Sequence, residues 1–281
     1  MFLAGGTAGA VARTVTAPAD RLKLLFQVQA MASSGVSAKA YTSLRQAALK
    51  VFREEGMLAF WKGNSANVVR IFPYSAAQLM SNDYYKRLLA SQDGGLTVLQ
   101  RLAAGAGAGM TATALTHPID TLRLRLALPG SAQQGMWACA RAIVRTEGLL
   151  ALYKGLTPAL AGIAPYAAIN FATYDGLKAW AYGAGPQSAA GNLGLGAAAG
   201  TLASTVCYPL DTIRRRMQMR GRTYAGQADA FRTIWRTEGM SGFYQGWLAN
   251  TLKVAPQSSI RFVAYEALKG FLAVKRARTD T

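Results

Sequence analysis

The chain has one histidine and two cysteines in 281 residues. A single histidine, His117, excludes a paired-histidine zinc motif. Cys139 and Cys207 are too few for a disulfide framework. No Walker loop, no glycine-rich Rossmann turn after a strand and no nucleophile triad is present. The pattern therefore points to no enzyme, no cofactor and no metal site. Charged residues are scarce at 16%, and acids scarcest: 13 Asp and Glu face 31 Lys and Arg, for a net charge of +18. With 51% hydrophobic residues, the chain fits one membrane bundle or two globular domains. Such a basic chain seeks anions: nucleic acid, anionic lipid or a small polyanion. A nucleic-acid-binding protein would gather its bases on one soluble face. Here they recur at the ends of apolar runs, which argues against nucleic acid as a partner.

What is present is a threefold repeat. Pro18-Ala19-Asp20-Arg21-Leu22-Lys23 returns at Pro118 to Arg123 and again at Pro209 to Arg214, 100 and then 91 residues on. One unit is written three times, which divides the chain into residues 1–93, 94–186 and 187–281. In each copy the acid and base are three residues apart, so they share a helix face. Each copy stands toward the end of an apolar, small-residue run of more than the ~20 residues a membrane span needs. Both charges are costly beside lipid and face a partner or a wet cavity. The runs open on Gly5 and Gly9, Gly105 and Gly109, and Gly196 and Gly200, spaced for close helix approach. His117 stands where the other copies have Ala17 and Tyr208, which favours a packing role. Met1 lies directly before the first apolar run, so no cleavable presequence is expected.

Each copy continues alike. A short amphipathic helix, at residues 42 to 53 in the first repeat, ends at Glu55-Gly56, Glu147-Gly148 or Glu238-Gly239. Then comes Trp61-Lys62-Gly63, Tyr153-Lys154-Gly155 or Tyr244-Gln245-Gly246. The aromatic-basic pair suits a membrane interface, and Gln245 breaks that pattern. A second apolar run follows, over 64 to 90, 157 to 182 and 247 to 274. Its acid lies ten residues after a proline and its base thirteen after, giving Asp83 with Lys86, Asp175 with Lys178, and Glu266 with Lys269.

The threefold Pro-x-acid-x-x-base motif, with acid-Gly and aromatic-basic-Gly behind it, resembles the mitochondrial carrier family over almost the whole chain. The resemblance implies an all-α membrane protein. Six transmembrane helices, in three pseudo-symmetric pairs, surround a central cavity, with three short helices on the matrix (or equivalent) side. It implies a matrix gate in which Asp20, Asp120 and Asp211 pair with Lys23, Arg123 and Arg214 of neighbouring repeats. Gln27 and Gln218 match the glutamines that brace such a gate, whereas Ala127 does not. A cytosolic gate is implied at Asp83, Lys86, Asp175, Lys178, Glu266 and Lys269, with Asn82 standing where Tyr174 and Tyr265 precede the acid in the other repeats.

The cargo is read from the second apolar run of each repeat, its even helix, the first run being its odd helix. Three residues before their prolines stand Arg70, Gly162 and Lys253, and five after stand Gln78, Asn170 and Arg261. These positions are about two turns apart and both can face the cavity. Arg13 adds a further candidate cation. The cations come from repeats 1 and 3, while repeat 2 offers Gly162, Ile163 and Tyr166. This fits a ligand with a polyanionic end and a flat apolar end. Thr14 to Leu25 (TVTAPADRLKLL), Arg101 to Met110, Leu122 to Leu128, Gly162 to Phe171 (GIAPYAAINF) and Cys207 to Gly221 resemble the plant thylakoid ADP/ATP carrier branch of the family. The resemblance implies an adenine-nucleotide (ATP/ADP) antiporter of a mitochondrial or plastid membrane, monomeric, with cardiolipin-like lipid as a further partner. Carriers of coenzyme A, of 3'-phosphoadenosine 5'-phosphosulfate or of another anion share much of this sequence and stay open at this point.

Overall fold

A computed structural model describes residues 2–32, 43–90, 96–128, 135–183, 188–219, 224–253, 257 and 260. Its long helices are α1 (Phe2–Ala32), α3 (Asn64–Leu89), α4 (Val98–Leu126), α6 (Leu156–Tyr182) and α7 (Ala189–Met217). Between them lie the short helices α2 (Leu44–Glu55), α5 (Met136–Glu147) and α8 (Gln227–Phe243). Residues 247–253 are helical again, and no strand occurs among the described residues. Pro18, Pro73, Pro118, Pro165 and Pro209 all lie inside long helices.

The long helices pack in a ring. α1 contacts α3 and α7, α3 lies along α4, α4 contacts α6, and α6 lies along α7. The polarity is that of a bundle in lipid. Val15, Leu115 and Val206, each three residues before the motif proline, are all about half exposed or more. The charges instead turn inward, where Asp120 is completely buried. One described helix, over Gly191–Met217, is long and apolar enough by composition alone to cross a membrane. The others have the length, at 26 to 31 residues. Their inward charges and small residues lower their apolar content.

The glycine pairs pack through their second members. A methyl on Gly109 would stand 3.2 Å from Ile163 Cγ2, on Gly200 3.8 Å from Tyr166 Oη, and on Gly9 3.9 Å from Ile71 Cγ2. At Gly105 and Gly196 it would meet nothing within 4 Å. The two pairs whose first glycine is described therefore make one contact each, not two.

The short helices bury one stripe each, at i and i+4: Ala47 and Val51, Cys139 and Ile143, Ala230 and Ile234. Val51 packs with Leu25, Ile143 with Leu122 and Leu126, and Ile234 with Ile213. Each short helix thus lies under the C-terminal half of its own repeat's odd helix. Gly56 (φ 82°), Gly148 (φ 84°) and Gly239 (φ 66°) turn the chain there in the left-handed region, which suits glycine. α2 ends two residues later than the sequence suggests because its helix runs up to that glycine.

Candidate functional site

Three ion pairs close the bundle at the end beside the short helices. Arg123 Nη2 donates to Asp20 Oδ2 at 2.8 Å, Arg214 Nη2 to Asp120 Oδ2 at 2.6 Å, and Lys23 Nζ to Asp211 Oδ2 at 2.6 Å. Each acid meets a base of the next repeat, so the pairs run as a ring through all three. Two glutamines lean on this ring. Gln218 Nε2 donates to Asp120 Oδ2 and Gln27 Nε2 to Asp211 Oδ2, both at 3.2 Å. Ala127 has no such group to offer Asp20.

The ring holds more cations than the motif supplies. Arg70 Nη1 donates to Asp120 Oδ1 at 3.1 Å and Lys253 Nζ to Asp20 Oδ1 at 2.6 Å. Arg215 Nη1 donates to Asp120 Oδ2 at 3.0 Å, and its Nε lies 3.6 Å from Asp211 Oδ1. Arg215, the middle of the Arg214-Arg215-Arg216 run, stands four residues after Asp211, the spacing of an intrahelical ion pair.

Above the ring opens a cavity of about 490 Å³, floored by Lys23, Asp211 and Arg214. Gln78, Gly162, Ile163 and Tyr166 line it, as the sequence pattern predicts. So do Tyr74 and Cys207, which the sequence pattern did not mark. Tyr74 repeats the position of Tyr166, and that equivalence was the available signal. Arg70 lies 5.1 Å from the Tyr74 ring centroid, within cation–π range. Gly162 leaves room: a methyl there would stand 3.8 Å from Leu210. Arg13 does not line the cavity, and donates instead to Asn67 Oδ1 at 2.6 Å. Asn170, Arg70 and Lys253 are likewise outside its lining, Asn170 beside Gly200 on α7 and the two cations on the acids of the ring. Arg261, Glu266 and Lys269 lie outside the described residues.

At the far end the charges stand apart. Among the described residues no ion pair includes Asp83, Lys86, Asp175 or Lys178. Asp83 and Asp175 are exposed. Lys178 lies 5.9 Å from the ring of Tyr174, one turn back on the same helix.

A second set of charges ties each short helix to the ring. Arg125 bonds Glu147 and Arg216 bonds Glu238, each through both guanidinium nitrogens. The equivalent position in repeat 1 is Leu25. There Arg21, one turn earlier, makes the bidentate pair with Glu55 at 3.0 and 2.8 Å. Arg21 in turn replaces Thr121 and Thr212, which donate to the carbonyls of Leu152 and Phe243. Lys62 and Lys154 pair with Glu55 and Glu147, and Gln245 Nε2 donates to Glu238 at 3.0 Å. The residue after each aromatic, Lys62, Lys154 or Gln245, thus serves the glutamate of its own repeat. Partial burial works against the charge of Glu55. The Lys62 hydrogen bond and the Arg21 charge outweigh it and hold the carboxyl below the ordinary glutamate range. His117 is completely buried and its Nε2 lies 3.0 Å from the Lys154 carbonyl, as Tyr208 Oη lies 3.1 Å from that of Gln245.

The glycine after each aromatic-basic pair lets these layers meet. A methyl on Gly155 would stand 2.7 Å from the carbonyl oxygen of Arg214, and φ there is 81°. Gly63 faces the Arg123 carbonyl and Gly246 the Lys23 carbonyl in the same way. The even helices therefore start directly against the bases of the ring.

Known proteins share this plan. A family profile described as mitochondrial carrier protein matches residues 1–93, 94–184 and 185–276. A probable chloroplastic envelope ADP,ATP carrier protein from Arabidopsis thaliana is 44% identical over 97% of this chain and 71% of its own length. A chloroplastic thylakoid ADP,ATP carrier protein from the same plant is 44% identical over 97% of this chain and 66% of its length. A mitochondrial adenyl nucleotide antiporter from Homo sapiens is 40% identical over 98% of this chain and 59% of its length. With three profile matches end to end, and a threefold ring of cross-repeat ion pairs under one cavity, this chain belongs to the mitochondrial carrier family.

Proposed function

We propose that the chain is an adenine-nucleotide (ATP/ADP) antiporter of an organelle membrane, working as a monomer in lipid by alternating access. The observation that carries this reading is the pairing of an open cavity with a closed ion-pair ring at its floor. The ring is the matrix gate: Asp20, Asp120 and Asp211 with Lys23, Arg123 and Arg214, braced by Gln27 and Gln218. The second gate is Asp83, Lys86, Asp175 and Lys178, completed by Glu266 and Lys269. The names of the relatives support the choice of nucleotide.

Arg70 and Lys253 couple cargo to gate. They bond Asp120 and Asp20. A phosphate chain entering the cavity attracts the same cations, and arginine offers it a planar fork of donors. Each acid then loses a partner and the gate loosens. A ligand moves such an equilibrium only by its differential affinity for the two states. The adenine lies against Gly162, Ile163 and Tyr166, where the missing side chain leaves space. Cargo crosses unchanged, with no catalytic step.

Labelled ATP uptake into liposomes holding the purified protein tests this. Vesicles are preloaded with ADP, phosphosulfate nucleotide, coenzyme A or buffer. Uptake is expected with internal ADP and not with buffer. Exchange of another preloaded anion without ATP uptake would keep the gates and overturn the nucleotide.

A further inference from the structure

The three interfaces of the closed ring are not equal. Where repeats 2 and 3 meet, the Asp120–Arg214 pair carries the Gln218 brace. Where repeats 3 and 1 meet, the Asp211–Lys23 pair carries the Gln27 brace. Where repeats 1 and 2 meet, the Asp20–Arg123 pair has Ala127 at the brace position.

A second layer repeats this inequality through different residues. Arg125 of repeat 2 donates from Nε to the backbone carbonyl of Gln218 in repeat 3, at 3.2 Å. Arg216 of repeat 3 donates from Nε to the carbonyl of Gln27 in repeat 1, at 3.1 Å. Each arginine thus latches the neighbouring glutamine that braces the gate, while its terminal nitrogens hold its own short helix. The corresponding residue of repeat 1 is Leu25, which packs with Val51 and Ala59 and has no donor to reach repeat 2.

Packing shows the same gap. A crevice of about 10 Å³, room for one water-sized sphere, lies at this interface, lined by Asp20, Lys62, Gly63, Asn67, Arg123 and Ala127. At the neighbouring interface Gln218 fills the corresponding space: its Cγ would stand 3.2 Å from a methyl on Gly155. Ala127 Cβ would stand 3.3 Å from a methyl on Gly63, so side chains at 127 and 218 leave the backbone toward equivalent glycines. The remaining support of Asp20 is Lys253, and in the proposed function, on which this step rests, the cargo takes that cation away.

We infer that the seam between repeats 1 and 2 is the weak side of the closed gate and parts first when cargo binds. Missing brace, missing latch and unfilled crevice coincide there, and Arg70, which crosses this seam to Asp120, is a cation that the cargo draws away.

The test is Ala127→Gln, with Ala127→Leu as a filler that cannot brace. Thermal unfolding of the purified protein and ADP/ADP exchange in liposomes are both read. Ala127→Gln should raise the melting temperature by several degrees and lower the maximal exchange rate at least threefold, with KM little changed. Ala127→Leu should not slow exchange. An unslowed Ala127→Gln, or equal slowing by Ala127→Leu, overturns the inference. Should Ala127→Gln not fold, Gln218→Ala and Gln27→Ala decide: each should lower the melting temperature by several degrees, and no loss in either removes the asymmetry. If the wild type exchanges no adenine nucleotide, the cargo reading falls, while the melting temperatures still judge the seam.

Discussion

Asp120→Asn is the most informative single change. Asp120 is completely buried and accepts from Arg70, Arg214, Arg215 and Gln218. The amide keeps its size but removes the one negative charge among three guanidinium groups. Leaving a buried charge without its partner costs ~3–5 kcal/mol. The three arginine side chains keep 13 to 16% exposure, so some rehydration is available. The lower end, about 3 kcal/mol, is therefore the better figure. That is about two tenfold steps in the population of the closed state. It corresponds to a fall of roughly 6–10 °C in melting temperature for a chain of this size. Asp211 is the natural control, since its side chain is 27% exposed and its burden is shared mainly by Lys23 and Gln27. Asp211→Asn should cost about half as much, between the buried and surface limits. The assay is thermal unfolding in detergent at low salt, followed by tryptophan fluorescence. The decisive variant adds Arg215→Gln to Asp120→Asn, because removing one stranded cation should recover part of the loss. Equal losses at Asp120 and Asp211, or a double variant worse by simple addition, would refute this account of the ring.

Gly155→Ala should lower stability by ~2–4 kcal/mol, through strain at positive φ and the Arg214 carbonyl in its way. Gly176→Ala, where nothing lies within 4 Å, should leave the melting temperature unchanged in the same assay. Because the Glu55 carboxyl is held below its ordinary range, its contribution is complete at neutral pH and is lost as pH falls through the depressed value. Glu55→Gln should accordingly flatten the acid limb of a stability-versus-pH curve, and an unchanged limb would remove Glu55 as its cause. Cys207 lines the cavity, so a bulky thiol reagent should block exchange in the wild type and spare Cys207→Ser, with ATP slowing the block. A folded Gly162→Trp protein should lose ATP uptake, and normal uptake would end the adenine-pocket proposal.

The ring residues were legible because their acid and base recur three residues apart in three copies, whereas their pairing between neighbouring repeats was implied by the family resemblance. Charge spaced along one helix face inside an apolar run has few physical explanations. The contacts of Arg70 with Asp120 and of Lys253 with Asp20 were not legible. They join different helices, and sequence does not give the relative depth at which two helices pack. The exchange of Leu25 for Arg21 could have been read, since the two positions are one helical turn apart and either reaches Glu55. The Lys62–Glu55 pair was not legible, because the aromatic-basic pattern describes where a residue sits and not which side chain it meets. Hydropathy also understated the spans. A helix that lines a wet cavity carries its charges on one side, so α4 holds Asp120 and Arg123 inward while Leu115 faces out.

The charge of the ring bears on why such a carrier exchanges rather than leaks. Asp20, Asp120 and Asp211 are shared among six bases: Lys23, Arg70, Arg123, Arg214, Arg215 and Lys253. The ring therefore holds three positive charges beyond its own acids. In the described state the cavity is open and water can solvate that excess. To pass to the other state, the proposed cycle must close the far gate over the same charges. Closing it empty strands unpaired cations away from bulk water, and the cost of burying unpaired charge is several kcal/mol per ion. A nucleotide brings the missing negative charge and phosphate oxygens to accept the freed donors. The loaded carrier then crosses its occluded state at a fraction of the electrostatic cost met by the empty one. One-for-one exchange follows from this difference, with each return journey needing an anion from the other side.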